Sequence, residues 1–309
     1  VLLLIYLGYL GLKLWTFQPT FIKPRLLKEI LVYGLYIVLG GASGQLIHRV
    51  DSIMIPAMLG TLDLGVYTIA FYIGSIIEIP RKMISSISMP IISQAWAKDD
   101  RQELKNIYYK SSLNQLIVGL VFFLCVWINI DSLFSLIPKG ELFREGKYVV
   151  FFIGLTKLVD MSTGLNNEIL VHSRLYRLTL LIVFMLAIFI VGSNLLLIPI
   201  FGLNGAAGAT FLSYFLYNLV KFLIILIAFK MQPLRWKHLL IVGIGISAYL
   251  LALLIPASGW ILLDIGLKSA LICILTLGFV ILANLSEDMR QIFERGFRLI
   301  EGFVKRKRS

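Results

Sequence analysis

The sequence predicts an all-α protein, a polytopic bundle of transmembrane helices, and three observations predict it. Of the 309 residues, 59% are hydrophobic and only 15% are charged, whereas soluble domains carry about 25% charged residues. The apolar residues form long continuous runs, several of which reach the roughly 20 residues that a membrane-spanning helix needs. These runs do not alternate between apolar and polar residues, so a transmembrane barrel is not predicted.

The first two segments are predicted to be the end of a spanning helix and a linker. Residues 1–15 are apolar and end with Lys13 and Trp15, which are typical of the membrane interface. Residues 16–29 are basic and contain two prolines, so we expect a cytoplasmic linker. Because the chain starts inside an apolar run without an initiator methionine, we expect it to be the C-terminal part of a longer protein.

Residues 30–230 predict a lobe of six spanning helices. Pro80 and Pro90 each remove a backbone donor and predict bends in the second helix, and Pro199 and Gly202 predict a tight turn before the sixth. The charged segment 98–112 is predicted to be a loop, partly helical along the interface. The predicted helices are 30–58, 64–97, 113–137, 148–172, 178–198 and 205–229.

Two further spanning helices are predicted over 239–285, followed by an amphipathic basic tail over 286–309 that lies on the membrane surface. The formal net charge is +12, and most basic residues lie in alternate loops, which predicts a cytoplasmic C-terminus. Because no basic patch with interleaved aromatic residues forms a soluble surface, nucleic-acid binding is not predicted. The basic loops are 16–29, 98–112, 174–177 and 230–238, whereas the opposite loops contain only Lys139, Arg144 and Lys147.

Ionisable residues also lie inside the predicted helices. A charge at membrane depth costs roughly 2.5–3.5 kcal/mol, so each is expected to face a partner or a water-filled cavity. Two spacings predict ion pairs on one helix, Glu78 with Lys82 and Lys157 with Asp160, and such pairs would serve only to hold helices together. The cations left outside these two pairs are Arg49, Arg81 and Lys221.

The cysteines and histidines predict no catalytic or metal centre. Cys125 and Cys273 both lie in apolar runs and are interpreted as small buried hydrophobic residues, without a disulfide framework. The chain contains three histidines, His48, His172 and His238. So few histidines do not favour histidine-based catalysis. Neither a metal nor a cofactor is predicted.

Two stretches carry a resemblance to a known family. In spacing and order they resemble the polysaccharide transporter branch of the multidrug/oligosaccharidyl-lipid/polysaccharide exporter superfamily, which includes flippases for lipid-linked O-antigen (lipopolysaccharide) and capsule repeat units. The resemblance implies that 30–230 is the second six-helix lobe of a two-lobe exporter and that 239–285 is a pair of extra helices. The stretches are Arg49-x-Asp51 with Met54, Leu59-Gly60 and Gly65-x-Tyr67-x-x-Ala70, and the segment from Asn194 to Thr210.

The resemblance implies a flippase of the bacterial cytoplasmic membrane that moves a polyprenyl-diphosphate-linked oligosaccharide by alternating access, without making or breaking a bond. Because a guanidinium fork suits phosphate, Arg49 and Arg81 are the leading predicted substrate contacts. The other predicted contacts are Lys82, Lys157 and Lys221. The acidic residues are predicted to bind a coupling cation or proton, or to form ion pairs, and they are Asp51, Glu78, Asp160 and Glu168.

Two alternatives remain open. A cation-coupled multidrug exporter of the same superfamily would favour an acidic cavity, whereas this interior has slightly more cations than anions. A membrane polymerase or ligase would carry a large outer loop with catalytic residues, and the longest predicted outer loop, 138–147, is too short.

Overall fold

The protein is an all-α membrane bundle, as predicted. A computed structural model describes residues 27–28, 30–32, 34–35, 50–256, 258–291 and 293–295, and contains no strand within them. Within these ranges, five helical stretches are long and apolar enough to cross a membrane. The predictions for 1–26 and for the end of the tail lie outside the described residues. In chain order the helices are α1 (50–58), α2 (Thr61–Ser75), α3 (Ile79–Ala97), α4 (Arg101–Ile128), α5 (Ile130–Ser135), α6 (Lys147–Ser162), α7 (Asn166–Val171), α8 (Tyr176–Phe229), α9 (Trp236–Leu253) and α10 (Ile261–Leu282).

A short 3₁₀ turn, Ile76–Glu78, separates α2 from α3. Pro80 lacks the N–H that would bond to the carbonyl of Ile76 in a continuous α-helix, and the N–H of Ile79 bonds to that carbonyl instead. At Pro80, where the sequence predicted a bend within one helix, the structure has an interruption between two helices. The helix continues through Pro90.

The predicted boundaries around α4 are wrong. The segment 98–112, predicted to be a charged loop that is partly helical, is helical from Arg101 onward as the first part of α4, because Asp100 caps the helix by accepting a hydrogen bond from the N–H of Glu103 at 3.0 Å. The helix ends at Ile128 rather than Ile137. The predicted helix 148–172 is also divided, since Gly164 has a φ of +66° and lies against the backbone of Ser112.

Helix α8 contains a reversal at Gly202, whose φ of 56° and ψ of −134° are not helical. The reversal divides α8 into two arms, α8a (176–201) and α8b (203–229). The arms pack closely: the hydroxyl oxygens of Ser193 and Ser213 lie 3.1 Å apart, and Gly205 lies directly against the carbonyl of Leu197. The turn predicted from Pro199 and Gly202 is confirmed.

The packing of α6 positions the polar interior. Helix α6 contacts α2, α4 and α8, while α7 also packs against α8. Helices α9 and α10 contact each other and α4, and Gly245 of α9 lets the side chain of Leu120 approach. The polar side chains described next lie where α3, α6, α7 and α8b meet.

Candidate functional site

Six charged side chains from five parts of the lobe lie together, and we call them the ionic cluster. Arg81 Nε lies 3.0 Å from Asp160 Oδ2, and its Nη2 lies 3.8 Å from Glu168 Oε1. Lys157 Nζ lies 2.6 Å from Glu78 Oε2. Equal numbers of cations and carboxylates leave the cluster without formal net charge. Its members are Glu78, Arg81, Lys157, Asp160, Glu168 and Lys221.

These ion pairs join different helices, which corrects the predicted pairing within single helices. Glu78 bonds to Lys157 on α6 rather than to Lys82, and Asp160 bonds to Arg81 on α3. The physical reason is that α6 presents its polar face to α3, where shielding from water strengthens the attraction between opposite charges. Lys82 is left exposed.

Lys221 enters the cluster from α8b and is buried. Its ammonium lies 3.9 Å from the ring centre of Tyr217, a cation–π geometry that is strengthened by removal from water. It also interacts electrostatically with Asp160 and Glu168. The structure therefore brings together Arg81, Lys157 and Lys221, three of the predicted substrate contacts.

Neutral side chains complete the cluster, and the sequence did not predict them as site residues. Ser85 donates a hydrogen bond to Glu168 Oε1. Asn166 Nδ2 donates to Asn218 Oδ1 at 3.1 Å and to Thr163 Oγ1 at 3.0 Å. Asn166 and Asn218 could have been predicted as site residues because each is an amide side chain inside an otherwise apolar run.

Asp51 forms a second polar centre, separate from the ionic cluster. Its side chain accepts hydrogen bonds from the hydroxyl of Tyr67 at 2.6 Å, from Asn194 Nδ2 at 2.7 Å and from Thr210 Oγ1 at 2.9 Å. Asp51 is only 1% exposed, and none of the ion pairs among the described residues includes it. Arg49 lies outside the described residues.

The donors to Asp51 bring together the two sequence stretches that carry the family resemblance. Asp51 and Tyr67 come from the first stretch, and Asn194 and Thr210 come from the second. The glycines and alanines of the second stretch let α8a and α8b approach closely, which places both donors at one carboxylate. Asn194 Oδ1 is buried without a partner among the described residues.

An open cleft of about 400 Å³ connects the two polar centres. Tyr67 lines the cleft and donates to Asp51, while Glu78 lines it and bonds to Lys157 of the ionic cluster. Lys82 is the exposed cation of the lining, and Arg81 is not part of it. The lining residues are Ser52, Tyr67, Thr68, Phe71, Tyr72, Ser75, Glu78 and Lys82.

Comparisons with known proteins agree with this architecture. Residues 1–96 match a family described as polysaccharide biosynthesis protein. Over 262 residues the chain is 25% identical to an uncharacterized membrane protein of Methanocaldococcus jannaschii, covering 80% of this chain and 49% of the relative. Over 200 residues it is 23% identical to a probable low-salt glycan biosynthesis flippase of Haloferax volcanii, covering 64% of this chain and 41% of the relative.

The chain thus spans about half the length, or less, of these curated relatives. No solved structure matches it. Together with the five apolar helical stretches of the described residues, the similarities support a multi-pass membrane protein.

Proposed function

We propose that this chain forms one lobe of a flippase that moves a lipid-linked oligosaccharide across the bacterial cytoplasmic membrane by alternating access. The observation that carries the proposal is the cleft, which presents aromatic rings, hydroxyl groups and one exposed ammonium beside an electrically balanced interior. Aromatic faces and hydroxyl groups suit sugars, while cations suit the diphosphate that joins the glycan to its lipid. The loop charges support a cytoplasmic C-terminus.

In this proposal the lipid tail stays in the bilayer while the head group passes along the cleft. Lys82 makes the first contact with the diphosphate because it is the exposed cation there. Arg81 contacts the phosphate by giving up its ion pair with Glu168, which at 3.8 Å is the longer of its two ion pairs. Lys157 and Lys221 are proposed as deeper contacts, and Arg49 as a further one. O-antigen or capsule repeat units are the proposed cargo.

The proposal is tested by replacing Lys82 with Ala and with Arg in the complete gene product. A charge-assisted hydrogen bond contributes roughly 1.5–3 kcal/mol, so Lys82→Ala is expected to lower the flipping rate at subsaturating substrate about tenfold to a hundredfold. Lys82→Arg is expected to keep most of the rate. The measurement is flipping of a fluorescent polyprenyl-diphosphate oligosaccharide in proteoliposomes.

Lys98→Ala is the matched control, because Lys98 is an exposed lysine at the end of the same helix and does not line the cleft. If Lys82→Ala flips the lipid as fast as the Lys98→Ala control, the cleft is not the substrate path. If the unsubstituted protein moves no lipid-linked oligosaccharide but exports a cationic drug, the multidrug exporter alternative is favoured instead.

We further propose Asp51 as the residue that binds the coupling cation or proton. Among the described residues Asp51 is held only by neutral donors, which keeps its charge available for a cation, and the Oδ1 of Asn194, which has no partner there, adds a second oxygen ligand. Asp160 and Glu168 are less suited because Arg81 compensates both. Asp51→Asn is therefore expected to abolish the response of flipping to an imposed sodium or proton gradient.

The measurement for Asp51→Asn is flipping in proteoliposomes with and without each gradient. Asn194→Asp is the companion variant, since it restores a carboxylate to the same centre in the Asp51→Asn background. An Asp51→Asn protein that still accelerates when the gradient is imposed would contradict the assignment.

A further inference from the structure

The chain contains two cysteines, and both lie at the same place between α4 and α10. Cys125 and Cys273 are free thiols whose sulfur atoms lie 4.0 Å apart. They are far apart in sequence, so helix packing alone brings them together. Both thiols are half-buried, whereas the sequence predicted small buried hydrophobic residues without a disulfide framework.

A polar contact one turn away fixes the register of the two helices. Asn129 follows Cys125 by one turn, and its Nδ2 donates to the hydroxyl of Ser269 at 3.0 Å. Ser269 precedes Cys273 by one turn, and its carbonyl lies 3.8 Å from the sulfur of Cys125. Two successive contacts, one amide–hydroxyl and one thiol–thiol, therefore hold α4 and α10 side by side.

One thiol of the pair is accessible from the apolar side of α10. Cys273 lines a groove of about 590 Å³ with Leu277, Met289 and Phe293. The groove has an almost wholly hydrophobic lining, so a small apolar reagent dissolved in the bilayer can reach Cys273, and Cys125 lies next to it. A polar oxidant would be excluded.

We propose that Cys125 and Cys273 form a reversible disulfide that locks α10 onto α4. The oxidant is an apolar organic disulfide: one cysteine sulfur attacks it, releasing one thiol and forming a mixed disulfide, and the second cysteine displaces the second thiol. The cysteines together lose two electrons and two protons, and the reagent becomes two thiols. Side-chain rotation shortens the sulfur separation to the roughly 2.05 Å of a disulfide.

The consequence is a covalent link between the lobe and the pair α9–α10. In the reduced protein, the described residues attach α10 to α4 by packing and by noncovalent contacts such as that of Asn129 with Ser269. In the oxidised protein the two helices cannot separate at this level, and a thiol reductant releases them.

The test is a titration of the purified complete protein with 4,4′-dithiodipyridine, which releases a coloured thiopyridone at each exchange. One equivalent of reagent is expected to release two equivalents of thiopyridone, and peptide mass spectrometry is expected to find Cys125 joined to Cys273. Cys125→Ser and Cys273→Ser are expected to release one equivalent each and to retain the pyridylthio group. Dithiothreitol is expected to restore both thiols.

Release of a single equivalent with the pyridylthio group retained would overturn the proposal, because the second thiol would then be out of reach. Release of none, or a covalent dimer on a non-reducing gel, would overturn it equally. Each Ser variant changes one atom at a packed site, and its thermal unfolding midpoint checks that it remains folded.

Discussion

Replacing Arg81 with Met is expected to destabilise the protein more than any other single change in the ionic cluster. Arg81 compensates Asp160 at 3.0 Å and Glu168 at 3.8 Å, in a part of the lobe that is shielded from water. Removal of one member of a buried ion pair leaves an uncompensated charge and costs about 3–5 kcal/mol. We expect a lower thermal unfolding midpoint, a lower yield of monodisperse protein and no measurable flipping.

The neighbouring residue supplies the control. Lys82→Met removes the same charge one residue later, but Lys82 is exposed in the cleft, so its unfolding midpoint is expected to stay near that of the unsubstituted protein. The double variant Arg81→Met/Glu168→Gln leaves two cations and two carboxylates, with Asp160 still beside Lys221, and is expected to recover most of the midpoint without recovering transport. Equal midpoints for Arg81→Met and Lys82→Met would show that the cluster does not stabilise the fold.

Replacing Gly205 with Ala is the second change with a large expected effect. A Cβ atom at this position would overlap the carbonyl oxygen and carbon of Leu197 on the opposite arm of α8. Backbone cannot rotate away as a flexible side chain can, so α8a and α8b would have to separate. We expect a loss of roughly 3 kcal/mol or more, at the upper end of single substitutions, and a disturbed Asp51 centre.

Replacing Gly208, on the same arm, with Ala is not expected to destabilise the protein. No atom lies within 4 Å of a Cβ built at Gly208, and alanine is favoured over glycine in a helix by about 1 kcal/mol. Gly208→Ala is therefore expected to be neutral or slightly stabilising. Thermal unfolding of both variants in detergent is the measurement, and similar midpoints for Gly205→Ala and Gly208→Ala would contradict the close packing of the arms.

The sequence predicted helices well where a single residue or a continuous run determines the backbone. The apolar runs predicted the spanning helices. Pro80 marked the place where the helix is interrupted before α3, and Gly202 marked the reversal in α8. The start of α4 was missed because the charged residues after Asp100 were interpreted as loop, although a capped helix readily carries charges where it leaves the membrane.

The site was less predictable because its contacts depend on which helices are neighbours. Arg81 stood out in the sequence through the cost of its charge, but spacing along one helix cannot predict a partner such as Asp160 on α6. The donors to Asp51 were missed for a different reason. A tyrosine or threonine costs little inside a membrane, so Tyr67 and Thr210 carried no signal beyond their places in the family-like stretches.

The balance of the ionic cluster bears on how the protein is made. Arg81 leaves the ribosome well before Asp160 and Glu168, so α3 reaches the bilayer while its compensating carboxylates are still unsynthesised. An arginine at this depth resists partition into lipid by itself. We therefore expect α3 to insert stably only after α6 and α7 supply Asp160 and Glu168, so that these helices integrate together.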